Sequence, residues 1–79
     1  MKLNELLDSL KNNPKVNNDI YRIDVKGIKN NISYGNGTQT KLRKRISESV
    51  LNMQVIGYVS DDNGCHVRVD DIHEEQQRN

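Results

Sequence analysis

Four leucines near the start of the chain share one face of a predicted helix. Their positions correspond to i, i+3, i+4 and i+7, the spacing of an amphipathic α-helix. These residues are Leu3, Leu6, Leu7 and Leu10. Pro14 disfavours the helical conformation in the residue before it. The sequence therefore predicts a first helix that ends near Asn12 or Asn13.

Residues 19–34 fit two patterns of hydrophobicity. Over residues 20–25, apolar and polar side chains alternate as in a half-buried strand, and β-branched residues favour that conformation. Three later apolar residues instead have helical spacing, namely Val25, Ile28 and Ile32. Gly27 weakens a helix that would run through it. A strand is predicted at the start of the segment, while strand, helix and hairpin all remain open for the rest.

A second helix is predicted over residues 38–52, after a glycine-rich loop at residues 33–37. Thr38 or Thr40 is expected to cap its first turn. On a helical wheel the apolar and charged positions separate into two faces. The apolar face contains Leu42, Ile46, Val50 and Met53, and the charged face contains Lys41, Lys44, Arg45 and Glu48.

A β-hairpin is predicted at the end of the chain. Two β-rich runs, residues 54–60 and 65–70, flank Asn63-Gly64, a dipeptide that favours hairpin turns because both residues tolerate positive φ. A turn at this dipeptide separates the side chains into two faces. One face has Ile56, Tyr58, Val67 and Val69, and the other has Val55, Val59, His66 and Arg68.

These elements predict one α+β domain over residues 1–72, followed by a polar tail at 73–79 that we expect to be disordered. One architecture is a small winged-helix-like domain, in the order helix, short strand or helix, basic helix and C-terminal β-hairpin. The alternatives are α-β-β-α-β-β and α-β-α-β-β. A helix within residues 24–32 would favour the winged helix, whereas a second hairpin there would argue against it.

The composition indicates a thin core that needs support. Of the 79 residues 33% are hydrophobic, without Trp or Phe, and domains this small often depend on disulfides, a metal or a partner subunit. Cys65 has no second cysteine to pair with, and His66 and His73 add few ligands for zinc. We therefore expect no cofactor or metal, and a homodimer as support. The lone cysteine and the short apolar runs predict a cytoplasmic protein without membrane contact.

The sequence shows no convincing catalytic group, so the protein is predicted not to be an enzyme. Cys65 and His66 are adjacent and would point to opposite faces of a strand. Four acidic residues near the end of the chain are expected to be solvated, because no apolar pocket is predicted around them. They are Asp70, Asp71, Glu74 and Glu75.

A basic run at Lys41-Leu42-Arg43-Lys44-Arg45 is the most informative segment for function. The net charge is only +1, so contact with nucleic acid would have to be local. Cations in the first turns of a helix are disfavoured by its dipole, and bound phosphate would relieve that cost. The alternative is that these side chains only solvate the outer face of the helix.

The segment from Leu42 to Val69 broadly resembles the recognition helix and wing of small winged-helix regulators. Gly57-Tyr58-Val59 lies where the chain would enter the wing. The resemblance implies a dimeric DNA-binding protein in transcription regulation, with helix 38–52 in the major groove and hairpin 54–70 as wing. The residues predicted to contact DNA are Gln39, Thr40, Lys41, Arg43, Lys44, Arg45, Asn63, His66 and Arg68.

A different function is also compatible with the sequence. Small α+β domains of phage or plasmid type can act as inhibitors or adaptors that bind a host protein and make no contact with nucleic acid. The frequent asparagine pairs fit such a source. In that case the working surface would be an edge or a face of a sheet.

Overall fold

The computed structural model describes residues 1–71 and has an α+β fold with a four-stranded mixed sheet, as the sequence predicts at this level. The predicted tail at 73–79 lies outside the described residues. The elements are α1 (Leu3–Lys11), β1 (Arg22–Gly27), β2 (Ser33–Gly37), α2 (Gln39–Arg45), α3 (Glu48–Leu51), β3 (Val55–Ser60) and β4 (Gly64–Val69).

The sheet consists of two antiparallel hairpins joined by a parallel pair at the centre. The strand order is β2-β1-β4-β3, in which β1 runs parallel to β4 and each has its own hairpin partner. Helices α2 and α3 connect the two hairpins. β2 and β3 are consequently the two edges of the sheet.

The core lies on one face of this sheet, beneath the helices. The strands contribute Ile23, Val25, Cys65, Val67 and Val69, and the helical part contributes Leu3, Leu6, Leu7, Leu10, Leu42, Ile46 and Val50. The four leucines of α1 are buried together, as predicted, and α1 ends at Lys11, close to the predicted end. The other face of the sheet, here called the open face, carries the alternate residues of β1 and β4.

Residues 24–32 form the second half of β1 and its connection to β2, and contain no helix. The winged-helix arrangement is therefore not confirmed, and the order matches the predicted alternative α-β-β-α-β-β, apart from a division of the second helix. The alternation of Ile23 and Val25 decides the conformation, since both are fully buried beside β4. Gly27 is required by close approach, because a Cβ there would overlap the carboxylate of Asp71.

The helix predicted over residues 38–52 is two helices, so that prediction is wrong in its boundaries. Ile46 adopts an extended conformation with ψ of 131° and ends α2. Ser47 then caps α3, and its hydroxyl accepts a hydrogen bond from the amide of Val50 at 3.4 Å. Serine favours such caps because its short side chain competes for backbone groups. Thr38 is the N-cap residue of α2, without a capping bond from its side chain.

The second hairpin is present, but its turn lies one residue earlier than predicted. The amide of Asp61 donates to the carbonyl of Gly64 at 2.9 Å, so Asp62 and Asn63 are the central residues. The Asp61 carboxylate accepts hydrogen bonds from the amides of Asn63 and Gly64. Neither Asn63 nor Gly64 has positive φ. The side chain of Asp61 thus stabilises a turn that does not use the special conformation of Asn-Gly.

The corrected turn moves the strand pairing by two residues and therefore keeps most side chains on their predicted faces. Tyr58 lies opposite Val67, and Val59 lies opposite His66. The bulge between Val55 and Gly57 is the exception. It places Val55 opposite Val69 on the core side, whereas the sequence predicted Val55 on the same face as His66 and Arg68.

Candidate functional site

Two of the residues predicted to contact DNA instead connect α2 to α1. Gln39 is 5% exposed, and its side-chain nitrogen donates to the carbonyl of Leu7 at 2.7 Å. Its side-chain oxygen accepts from Nε of Arg43 at 3.0 Å. The guanidinium of Arg43 also pairs with Asp8 at 2.6 Å. Both polar side chains are thus engaged within the fold.

The remaining predicted residues divide between two surfaces. Thr40, Lys41, Lys44 and Arg45 are exposed on α2, which packs on the core side of β1 and β2. His66 and Arg68 are exposed on the open face, and Asn63 lies in the turn between β3 and β4. The structure therefore does not bring the nine predicted residues together in one site.

The open face carries a group of cations that the sequence pattern indicates only in part. Arg22 and Lys26 of β1 are exposed there, and Lys26 is the register partner of Arg68. Neighbouring like charges across a sheet are unfavourable. Asp24 is the anion beside them, with its carboxylate 3.6 Å from Nδ1 of His66. The open face between β1 and β4 is consequently positive.

The β3 edge, meaning the outward side of Val55–Ser60, is a site that was not predicted from the sequence. The strand has no charged residue, and three large apolar side chains are exposed: Ile56 at 56%, Tyr58 at 50% and Val59 at 71%. The edge formed by β2 differs, because it is short, contains Gly35 and Gly37, and its Tyr34 is half-buried. The uncharged run is visible in the sequence, but its position at an edge is not.

Backbone groups of β3 also point away from the sheet. The amide of Asp61 donates to the carbonyl of Gly64 in β4. In an antiparallel ladder the backbone N–H and C=O groups of every second residue point to the same side. The backbone groups of Tyr58 and Ser60 therefore point away from β4. The start of the edge is already occupied by the N-terminal segment. The Val55 amide donates to the carbonyl of Met1 at 2.8 Å, and the Leu3 amide donates to the carbonyl of Met53 at 2.9 Å. Within residues 1–71, no backbone group pairs with the rest of the edge, so the unoccupied part runs from Gly57 to Ser60.

A groove of about 560 Å³ lies beside this unoccupied part, and we call it the Gly57 groove. It is lined by Gly57, Tyr58, Val59, His66 and Arg68. Gly57 is the register partner of Arg68, and, apart from its chain neighbours, no other atom of residues 1–71 lies within 4 Å of the place where its Cβ would be. Apolar surface, outward backbone groups and a cation therefore meet at one edge of the sheet.

The chemistry of the other reactive groups is limited. Burial, together with the charge of Asp61, raises the pKa of Cys65, so the thiol is held in its less nucleophilic protonated form. Within residues 1–71, no three His, Cys, Asp or Glu side chains cluster so that they could hold a metal ion. No helix among those residues is long and apolar enough to span a membrane.

Comparisons of the chain with protein-family models, with curated proteins and with solved structures find no match. The function is therefore inferred from the geometry of the described residues.

Proposed function

We propose that the protein is a protein-binding adaptor or inhibitor that takes up an extended segment of another protein as an additional strand along β3. One observation carries the proposal: β3 is an edge strand with no charge, three exposed apolar side chains and outward backbone groups from Gly57 to Ser60. Cytoplasmic host proteins are the proposed partners, since a reduced Cys65 suits that compartment.

Exposed edges are usually protected, which makes the contrast between β2 and β3 informative. Natural sheets protect their edges with charges, prolines, short strands, bulges or covering segments. The β3 edge has a bulge and a covering segment at its start, and neither device extends over Tyr58 and Ser60. A partner strand would satisfy one donor and one acceptor at each of these residues, at roughly 1 kcal/mol for each hydrogen bond.

A displayed library of random ten-residue peptides tests the proposal. Peptides enriched on the wild-type protein are expected to bind the Ser60→Pro variant at least about tenfold more weakly. Proline removes the outward N–H and is tolerated on an edge strand. Ser60→Ala keeps that N–H and serves as the matched control. Hydrogen exchange should show slower exchange of the Tyr58 and Ser60 amides when peptide is bound.

Two results of the peptide selection would overturn this function. Either the selection returns no peptide above background, or the recovered peptides bind Ser60→Pro as tightly as the wild type. Sedimentation of the protein without peptide identifies a different occupant. A dimer that becomes monomeric in Ser60→Pro would mean that the β3 edge pairs with a second copy instead of a foreign protein.

Nucleic-acid binding is the second candidate function, and the exposed cations on α2 favour it. Lys41, Lys44 and Arg45 form no ion pair with any residue in the described part of the chain. The hairpin at residues 22–37 removes the winged-helix argument for DNA, so these cations are its main remaining support. As a regulator, the protein would then contact phosphate through α2.

A gel shift with mixed duplex DNA at about 50 and about 200 mM salt tests this candidate. The test variant is Lys41→Ala, Lys44→Ala, Arg45→Ala. If α2 binds phosphate, its log-log slope of affinity against salt should change by about 0.9 for each phosphate that is no longer neutralised. The control replaces three other exposed lysines, Lys2, Lys11 and Lys15, and should leave the slope unchanged. Absence of any shifted duplex at the lower salt concentration would eliminate DNA binding.

A further inference from the structure

Of the five glycines, Gly57 is the one at which an added side chain would meet neither a close contact nor a positive φ. A Cβ would overlap other atoms at Gly27 and Gly64, would lie 3.1 Å from Leu42 at Gly35, and would be strained by a φ of +140° at Gly37. None of these restrictions applies at Gly57, because the space around its Cβ position is free and its φ is not positive.

A glycine of this kind weakens a strand and often marks a place where a ligand or another backbone comes close. Gly57 lines the Gly57 groove, which lies directly at the β3 edge. A side chain at this position would project into the groove. The absence of one therefore keeps the groove open on the side from which a partner strand would approach.

The charge of the groove indicates what it would receive. Arg68 lines it and is the register partner of Gly57, with Lys26 beside Arg68 on the next strand. Arg68 forms no ion pair with any residue between Met1 and Asp71. A carboxylate above Gly57 would meet the guanidinium, which binds carboxylates through paired hydrogen bonds. It would also reduce the repulsion between Arg68 and Lys26.

We infer that the partner segment of the proposed function carries an acidic side chain that enters the Gly57 groove and pairs with Arg68. This inference rests on the proposed pairing along β3. Side chains of a strand alternate between faces, so the residues on both sides of the acidic one would lie on the core side of the sheet, where Tyr58 is exposed, and should be apolar. The recognised pattern is thus apolar, acidic, apolar within an extended segment.

The same peptide library, followed by synthetic peptides, provides the test. Peptides enriched on the wild type should share an acidic residue between two apolar positions. In a synthetic copy of the most enriched peptide, Glu→Gln (or Asp→Asn) should weaken binding about tenfold, as expected for the loss of a charge-assisted pair. Arg68→Gln should weaken the acidic peptide and remove this preference. Lys26→Gln removes a charge from the neighbouring strand and should retain the preference.

Gly57→Val is the second variant, and it should abolish binding of all recovered peptides while the melting temperature stays at or above that of the wild type. The outcomes separate the two proposals. Peptides that depend on the Ser60 amide but lack a shared acidic residue, or that bind Arg68→Gln normally, overturn the inference and leave the β3 function standing. Binding that survives Gly57→Val also overturns the inference. Failure to recover any peptide sensitive to Ser60→Pro overturns both.

Discussion

Replacing Asp71 with alanine is expected to lower the free energy of unfolding by roughly 3 kcal/mol, because several partly buried donors would be left without their acceptor. Asp71 is fully buried. Its carboxylate accepts hydrogen bonds from the amides of Lys29 at 2.8 Å and Asn30 at 3.1 Å, from the Asn30 side chain at 2.7 Å, and from the Tyr34 hydroxyl at 2.8 Å. Urea unfolding at neutral pH measures the loss.

Asp70→Ala is the matched control for this prediction. The neighbouring carboxylate pairs with Lys29 at 2.9 Å, but both side chains are about two-fifths exposed. Exposed ion pairs contribute at most about 1 kcal/mol, so this variant should unfold close to the wild type. Equal losses in the two variants would contradict the role assigned to Asp71.

The contribution of Asp71 should also depend on pH. Burial raises the pKa of Asp71, but hydrogen bonds from Lys29, Tyr34 and Asn30 outweigh it and lower the pKa from 3.8 to about 2. A lowered pKa means that the stabilisation is complete above the unfolded value and is lost as the pH falls through the folded value. The difference between wild type and Asp71→Ala should therefore shrink by roughly 2 kcal/mol between about pH 5 and pH 2. A difference that stays constant over this range would contradict the prediction.

Asp71 also shows why part of the fold could not be predicted from sequence. The acidic end of the chain was expected to be solvated, and for Asp71 that is wrong. Its donors Lys29 and Asn30 are about forty residues away in the chain. No local pattern indicates such a pairing, because hydrophobic periodicity reports only which face of an element is buried.

Local patterns were sufficient where neighbours along the chain determine the structure. The leucines of α1 and the alternating residues of β4 are buried as predicted. The patterns failed where one polar side chain decides, as when Ser47 divides the second helix. They also could not show that β3 is an edge, since that follows from the parallel pairing of β1 with β4.

The same pairing sets the second large effect, at Gly64. The residue is the register partner of Arg22, and a Cβ at Gly64 would overlap the Arg22 carbonyl oxygen. Backbone cannot move aside as a flexible side chain can, so Gly64→Val should lower the free energy of unfolding by about 3 kcal/mol. Gly64→Ala should lose most of the same amount, because the overlap involves Cβ itself.

Gly57→Val makes the same substitution in the adjacent strand and is the control for Gly64→Val. Apart from its chain neighbours, no atom in the described part of the chain lies within 4 Å of its Cβ position, and valine favours a strand, so stability should be unchanged or rise by up to about 1 kcal/mol. Thermal and urea unfolding of the variants measure these differences in stability. A Gly64→Ala protein as stable as the wild type would mean that β1 and β4 do not approach closely at Arg22. Close packing against β1 would then not be the reason why glycine occupies position 64.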